Sequence, residues 1–466
     1  LKYVQTFIDI ADPKSGEDKV VRESAILALG ILQEKNPEIR KFLIDFIDNR
    51  DDPFRVRCFA MLSLGLLQDN SKEVYDCLER RLDGSEAYLD IPTCSLISIG
   101  LIGDNAKVPD LLKWLDDARI GRFKLSDLER AHLVGALGKI GDPQALKPIT
   151  DTLRKRGNFT RRSAYIAMGQ IIPQLEASEQ LAHVKKLGAY FKNEKDNTAR
   201  NFAVMALGRI GGQPDATDEV RDLSVNILLQ QFIKGNKNTE RPYAALALGL
   251  VAFESSATHV KPKELKYKLA ETIRKELQKL KGDKVALGAQ AIALGMIGDK
   301  SKQTVNLLIK ILKDRGLERK LRGASAVALG MIGDNSAKEE ILKALRERED
   351  RDLRVDTAVA AGLLGDSTAV EELVKVLKDP KASQFVLGSV ALALGQIGDH
   401  RAIEPLISIL EPDKTNGKYP DLTRALVAVS LGQLADRRDF RVLYNLSKDI
   451  NYRASVSALE EALTIL

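Results

Sequence analysis

The sequence predicts an all-α fold, an α-solenoid of about twelve antiparallel helix hairpins, and three observations carry that expectation. The phrase Leu-Gly-x-Ile-Gly-Asp recurs along the 466 residues, whole at Leu137–Asp142 and Leu394–Asp399 and, with Met, at Leu294–Asp299 and Leu329–Asp334. Counting looser copies, its leading glycines are Gly30, Gly65, Gly100, Gly138, Gly169, Gly208, Gly249, Gly295, Gly330, Gly362, Gly395 and Gly432. Their spacing runs from 31 residues (Gly138 to Gly169) to 46 (Gly249 to Gly295), the period of a solenoid. The residue two before each glycine is always small, for example Ala28, Ser63, Ala136, Ala328 and Ser430. Between the copies run aliphatic stripes at helical spacing, such as Leu308, Ile309, Ile311, Leu312 and Val370, Leu373, Val374, Leu377. Length alone would allow about three domains, but stacked repeats bury their faces only against neighbours and form one array.

Within a repeat the elements follow in a fixed order. A longer aliphatic helix comes first, a polar turn such as Lys378-Asp379-Pro380 follows, and a short alanine-rich helix returns antiparallel. Glycine inside the last turn of that second helix costs about 1 kcal/mol relative to alanine, so its recurrence implies close backbone approach. The second glycine of the phrase (Gly103, Gly141, Gly298, Gly333, Gly365, Gly398) is placed to end the helix in the left-handed conformation. The Asp after it is placed to cap the next helix.

The repeats are expected at 1–34, 35–69, 70–104, 105–142, 143–173, 174–212, 213–253, 254–299, 300–334, 335–366, 367–399 and 400–436, with a partial repeat over 437–466. Three places break the rhythm. Gln170-Ile171-Ile172-Pro173 lacks the second glycine, and proline stops the helix there. An insertion is expected over Val251–Thr258, and another extended turn over Lys414–Lys418. Both ends carry apolar residues, Val4, Phe7 and Ile8 at one and Val456, Leu459 and Leu463 at the other. Terminal solenoid repeats normally show a polar outer face, so further sequence or a partner is expected beyond them.

The stretch Arg322 to Asp334, Arg-Gly-Ala-Ser-Ala-Val-Ala-Leu-Gly-Met-Ile-Gly-Asp, resembles the HEAT repeat in its short, phycobilisome-lyase-like form. The resemblance covers essentially the whole chain. It implies a curved right-handed superhelix with the alanine-rich helices on the concave wall. The family includes scaffolds, adaptors, bilin lyases, hydroxylases and DNA-repair proteins, so the resemblance alone leaves function open.

Charge narrows the choice. The 71 Lys+Arg against 65 Asp+Glu leave a net charge of +6, small for a chain of this length. Arg stands eight residues before the anchor glycine in nine repeats: Arg22, Arg57, Arg130, Arg161, Arg200, Arg241, Arg322, Arg354 and Arg424. Such a row could follow a phosphate backbone, but a consensus arginine is expected to pair with nearby acids and helix carbonyls and lock adjacent hairpins. Residues 261–284 are rich in lysine and read as a solvated face, with an acidic partner as the alternative.

No catalytic arrangement emerges. The four histidines, His132, His183, His259 and His400, lie far apart and none precedes Glu, whereas the di-iron hydroxylases of this resemblance depend on His-Glu pairs. The cysteines Cys58, Cys77 and Cys94 form no Cys-x-x-Cys and read as small buried hydrophobes of a reducing compartment. No catalytic residue, cofactor or metal ligand is expected, no apolar run is long enough to cross a bilayer, and a cytoplasmic location follows.

Binding remains. The variable positions six and seven before the anchor glycine carry Phe59, His132, Arg162, Asn201, Phe202, Tyr243 and Asp356, where other repeats have small residues. Aromatic and arginine side chains are common interface anchors. These seven are the expected contacts of a protein partner, either a helix, an extended peptide or other subunits of a complex. The chain thus reads as a non-enzymatic scaffold or adaptor, with bilin-lyase-like and nucleic-acid-binding solenoids as alternatives. On that reading, joint truncation of Phe202 and Tyr243 weakens partner binding and leaves stability nearly unchanged.

Overall fold

In the computed structural model of the chain the described residues are 2–86, 88–154, 157–236, 238–255, 262–379, 381–410, 419–435, and 451, 453, 454, 456 and 457. The expected turn at 414–418, the tip of the insertion at 256–258, His259 and most of the partial repeat lie outside them. The described residues form an all-α solenoid whose helices divide between two compact units.

The first unit comprises residues up to Ala206 and the described residues from 451 onward. Its helices are α1 (Lys2–Ala11), α2 (Lys19–Ile31), α3 (Pro37–Asp48), α4 (Phe54–Leu67), α5 (Lys72–Arg80) and α6 (Asp90–Ile102). They continue with α7 (Val108–Asp117), α8 (Asp127–Ile140), α9 (Leu146–Thr152), α10 (Asn158–Ile171), α11 (Ala177–Asn193) and the start of α12 (Asn197–Gly212). The alanine-rich helices α2, α4, α6, α8 and α10 pack in sequence as one layer, and aliphatic helices such as α3, α5, α7 and α9 each back the alanine-rich helix that follows.

The second unit runs from Leu207 to Asp439. After the end of α12 come α13 (Asp218–Lys234), α14 (Arg241–Glu254), α15 (Pro262–Leu277), α16 (Lys284–Ile297), α17 (Lys302–Lys313) and α18 (Arg319–Ile332). Then follow α19 (Lys338–Leu345), α20 (Arg351–Leu364), α21 (Val370–Leu377), α22 (Gln384–Ile397), α23 (Ile403–Leu410) and α24 (Asp421–Ala435). Here α14, α16, α18, α20, α22 and α24 form the alanine-rich layer.

The recurrent glycine and the small residue two positions before it are two halves of one contact. A Cβ added at Gly30 would stand 2.6 Å from the Cα of Ser63, and one at Gly100 2.7 Å from that of Ala136. One at Gly295 would stand 2.7 Å from the Cα of Ala328, and one at Gly362 2.9 Å from that of Ala393. The anchor of each repeat up to Gly395 therefore meets the small residue of the next, backbone against backbone. Where that residue is serine the hydroxyl is used as well. Ser63 Oγ lies 2.8 Å from the Ile26 carbonyl of the preceding alanine-rich helix, and Ser98 Oγ 2.8 Å from that of Met61.

The turns form as their residues dictate. Gly103, Gly141, Gly298, Gly333, Gly365 and Gly398 all have φ between 66° and 81°, and Asp104, Asp142, Asp334, Asp366 and Asp399 each accept the backbone N–H two residues on. Each of these caps begins a single 3-10 turn before the α-helix proper, as at Asn335–Ala337 ahead of α19.

That turn reverses the expected helix lengths in the repeats that have it, whereas α11, α13 and α15, with 17, 17 and 16 residues, are at least as long as the alanine-rich helices that follow them. The alanine-rich helices have 13 to 16 residues, as in α6 and α12, whereas α9 has 7 and α21 has 8. The cap and its 3-10 turn consume the first residues of the aliphatic stripe. A second difference is a two-stranded hairpin, β1 (Arg119–Ile120) paired with β2 (Phe123–Lys124), between α7 and α8. Ala118 ends α7 at φ 50° and Gly121 turns the hairpin at φ 57°. Phe123 packs over Gly84, where a Cβ would stand 2.5 Å from the ring.

Candidate functional site

Two sets of side chains are candidates for binding, the arginine row and the variable positions six and seven before the anchor. The arginines are occupied within the fold. Nε of Arg57, Arg322 and Arg354 donates to the carbonyls of Ile47, Leu312 and Leu345 at 3.0, 2.8 and 3.0 Å, at the end of the preceding aliphatic helix. Arg22 and Arg241 do the same to Ala11 and Gly235 at 3.1 and 2.9 Å. The guanidinium then reaches an acid of the next repeat, Arg57 to Glu86 at 2.7 Å and Arg322 to Glu347 at 3.0 Å. Arg161 faces Glu194 at 3.5 Å and Arg354 faces Asp379 at 3.8 Å. Arg130 pairs with Asp127, Arg200 bonds Asn197, and Arg424 at the start of α24 is exposed. Most of the row thus ties a hairpin to itself and to its neighbour.

The variable positions do not form one patch. Phe59 in α4 has no exposed surface, and Phe202 in α12 is 7% exposed. Both rings are buried within the fold, which corrects their expected place as exposed anchors on a binding wall. Arg162 pairs with Asp196 at 2.8 Å and lies over the Phe159 ring. Asn201 is buried, its Oδ1 without a hydrogen-bond partner among the described residues. Tyr243 in α14 and Asp356 in α20 are half-buried and belong to the second unit.

Asp356 occupies a notch that Gly323 leaves open: a Cβ on Gly323 would stand 1.9 Å from Asp356 Oδ2. Burial, with Asp352 and Asp350 nearby, pushes its carboxyl up to about 6. It borders a cavity of about 750 Å3 lined by Arg319, Arg322, Arg346, Arg348, Glu347 and Asp350, among others. Those charges are largely spent on each other and on the next repeat, Arg319 on Asp350 at 3.0 Å and Arg346 on Glu372 at 2.8 Å.

His132 is different. It lies in α8, 8% exposed, and its Nε2 bonds the main-chain carbonyl of Ala454. A carbonyl can only accept, so Nε2 carries the proton. Burial holds the imidazole down at about 4, so it is neutral near pH 7. Around this bond, the described residues from 451 onward sit on the alanine-rich layer. Asn451 Nδ2 donates to Ser163 Oγ at 2.9 Å and to the Phe159 carbonyl at 3.2 Å. Ser457 Oγ donates to Asp90 at 2.8 Å. Ser163 and His132 hold the same register, six residues before Gly169 and Gly138, so successive repeats use one position to grip one segment. Asn451, Ala454 and Val456 are buried there, and Arg453 and Ser457 remain exposed.

The cysteines lie elsewhere in the core. Burial and the neighbouring Cys94 raise the Cys58 thiol, and burial and Asp48 push Cys77 up to about 12, so both stay protonated. Among the described residues no three His, Cys, Asp or Glu side chains gather as a metal site, and no helix is long and apolar enough to cross a membrane.

Residues 338–416 match the family model described as HEAT repeats, and residues 321–347 match the PBS lyase HEAT-like repeat. The comparison with curated proteins returned no match. Among solved structures, the chain is similar to the complex of CpcE and CpcF of phycocyanin lyase from Nostoc sp. PCC7120. The identity there is 18%, over 58% of this chain and 94% of that one, with a TM-score of 0.37. It is also similar to the karyopherin Kap121p bound to Pho4p, at 11% identity over 100% of this chain, TM-score 0.42. Importin beta matches at 13% identity over 93% of this chain and 62% of that one, TM-score 0.44. The chain spans about half the length of the karyopherin, 53%.

Proposed function

We propose that this chain, a HEAT-repeat protein of the PBS-lyase-like type, is a non-enzymatic protein-binding scaffold or adaptor, a subunit of a larger assembly. Its alanine-rich helices present the docking face. One observation carries the reading. The face of α6, α8 and α10 accommodates a polypeptide segment through a main-chain carbonyl on His132 and a side-chain amide on Ser163. Small residues elsewhere in these helices leave room for a main chain to come close, and a few polar groups at one register set its position.

The arginine row favours this reading over nucleic acid, because most of its guanidinium groups are engaged with helix carbonyls and carboxylates inside the fold. Most lysines from α15 to the start of α16 are exposed, but Lys275, Lys279 and Lys284 pair with Glu271, Glu276 and Glu318. Free, buried cysteines accord with a cytoplasmic setting.

The test is capture of partners from native lysate on the full chain, at low and high salt, with mass spectrometry of what is retained. A discrete protein retained at high salt, and displaced by a peptide spanning residues 448–460, supports the scaffold reading. Retention of nucleic acid that is lost as salt rises, or of a coloured small molecule, overturns it.

A further inference from the structure

The segment that lies on α6, α8 and α10 is this chain's own, and it forms a turn there. The Ala454 N–H donates to the Asn451 carbonyl at 2.8 Å, and the Arg453 N–H to Asn451 Oδ1 at 3.2 Å. Asn451 therefore caps its own turn with its side-chain oxygen, the usual behaviour of an Asn in an Asx-turn. The same side chain's nitrogen is then aimed at the helix layer, where its two hydrogens meet two acceptors, Ser163 Oγ and the Phe159 carbonyl. Every polar position of the amide is thus used. The turn next directs the Ala454 carbonyl onto His132, whose Nε2–H is its donor.

The partners come from three successive repeats and are separated from the segment by about 290 to 370 residues of chain. Asparagine supplies an acceptor and two donors on a side chain short enough to cap its own turn. An aspartate keeps the acceptor and loses both donors, and an alanine loses all three.

We propose that the face of α6, α8 and α10 is a receptor for an asparagine-led turn, and that Asn451, Ala454, Val456 and Ser457 occupy it in cis. A partner presenting such a turn must displace this segment, so the chain holds its own docking face closed until a competitor arrives. This rests on reading the alanine-rich layer as a docking face, and adds which part of it binds, what it recognises and what blocks it.

A fluorescein-labelled peptide spanning residues 448–460 is titrated into the full chain, into its Asn451→Ala variant, and into Asn451→Ala with Ser163→Ala. Fluorescence anisotropy reports binding and circular dichroism confirms that each protein is folded. The Asn451→Ala chain, its own segment weakened, binds the peptide about tenfold more tightly than the unaltered chain, the scale of one or two net hydrogen bonds. Adding Ser163→Ala takes back about that factor, and a peptide with Asp in place of its Asn binds no better than a scrambled one. Equal affinity for the unaltered and Asn451→Ala chains, no binding to either, or indifference to Ser163→Ala overturns the proposal. If the peptide binds as stated while proteins captured from lysate are not displaced by it, the receptor stands and the scaffold reading of this face falls.

Discussion

Gly295 and Gly432 hold the same register in their repeats and meet opposite surroundings. A Cβ on Gly295 would press on the Ala328 backbone at 2.7 Å, whereas none of the described residues stands within 4 Å of one on Gly432. Gly295→Ala must push two hairpins apart and should cost about 2–3 kcal/mol. Gly432→Ala should stabilise by about 0.5–1 kcal/mol through helix propensity. Urea unfolding of the two variants reads the opposite signs directly. Titration divides residues in the same way. Asp356 is raised to about 6 from 3.8, so the folded state binds the extra proton and this contribution to stability is lost as pH rises from about 4 through 6. Asp356→Asn should therefore gain about 1–2 kcal/mol at pH 8, after allowance for its partial exposure, and nothing at pH 4. His132 has the reverse sense. Lowered to about 4 from 6.5 by burial, it leaves the unfolded state to bind the proton first, and its contribution is lost as pH falls through that window, by up to about 3 kcal/mol.

At the scale of one helix or turn, the arginine row makes the sharper prediction. Arg322 is 5% exposed and joins the end of α17 to Glu347 beyond α19. Arg322→Ala leaves the Leu312 carbonyl without this donor and Glu347 with Arg315 alone, and should cost about 2–3 kcal/mol. Asp334→Ala, losing only the cap on Ser336, should cost about 1 kcal/mol. Thermal unfolding of the pair ranks the two kinds of junction. The helix pairs, the left-handed glycines and the Asp caps were legible in the sequence because each is set by residues a few positions apart and repeated, the anchor glycine twelve times and the left-handed glycine six. The short aliphatic helices such as α9 and α21 were not, because the 3-10 turn that shortens them leaves the apolar stripe unchanged, whereas α11, α13 and α15 are long as expected. Nor was the β1–β2 hairpin, two residues a strand. His132 stood out as a bulky polar residue at a small-residue register. Ser163 did not, because a serine there matches the consensus, and Asp90 sits at a helix start where an acid is ordinary. Phe59 and Phe202 stood out for the same reason as His132, yet their rings pack inward: the register marks a position near the layer surface, not the direction in which an apolar ring turns.

Across the whole molecule, an array of hairpins in contact with their neighbours should lose stability locally. Gly295→Ala should raise amide exchange in α16 and α18 while α4 and α6 keep their protection. The bond between Asn451 and Ser163 breaks that rule, because it joins residues 288 positions apart and makes three middle repeats depend on the end of the chain. No periodic pattern encodes such a contact, which is why the segment's place was invisible in a sequence read repeat by repeat. Its consequence is measurable by amide exchange in a variant that lacks it. Asn451→Ala should speed exchange in α6, α8 and α10 and in residues 451–457 together, and leave α16 to α22 unchanged. If α6, α8 and α10 keep their protection, the segment adds nothing to the layer beneath it. If the second unit loosens as well, the chain does not respond as a nearest-neighbour array, and the local prediction for Gly295→Ala fails with it.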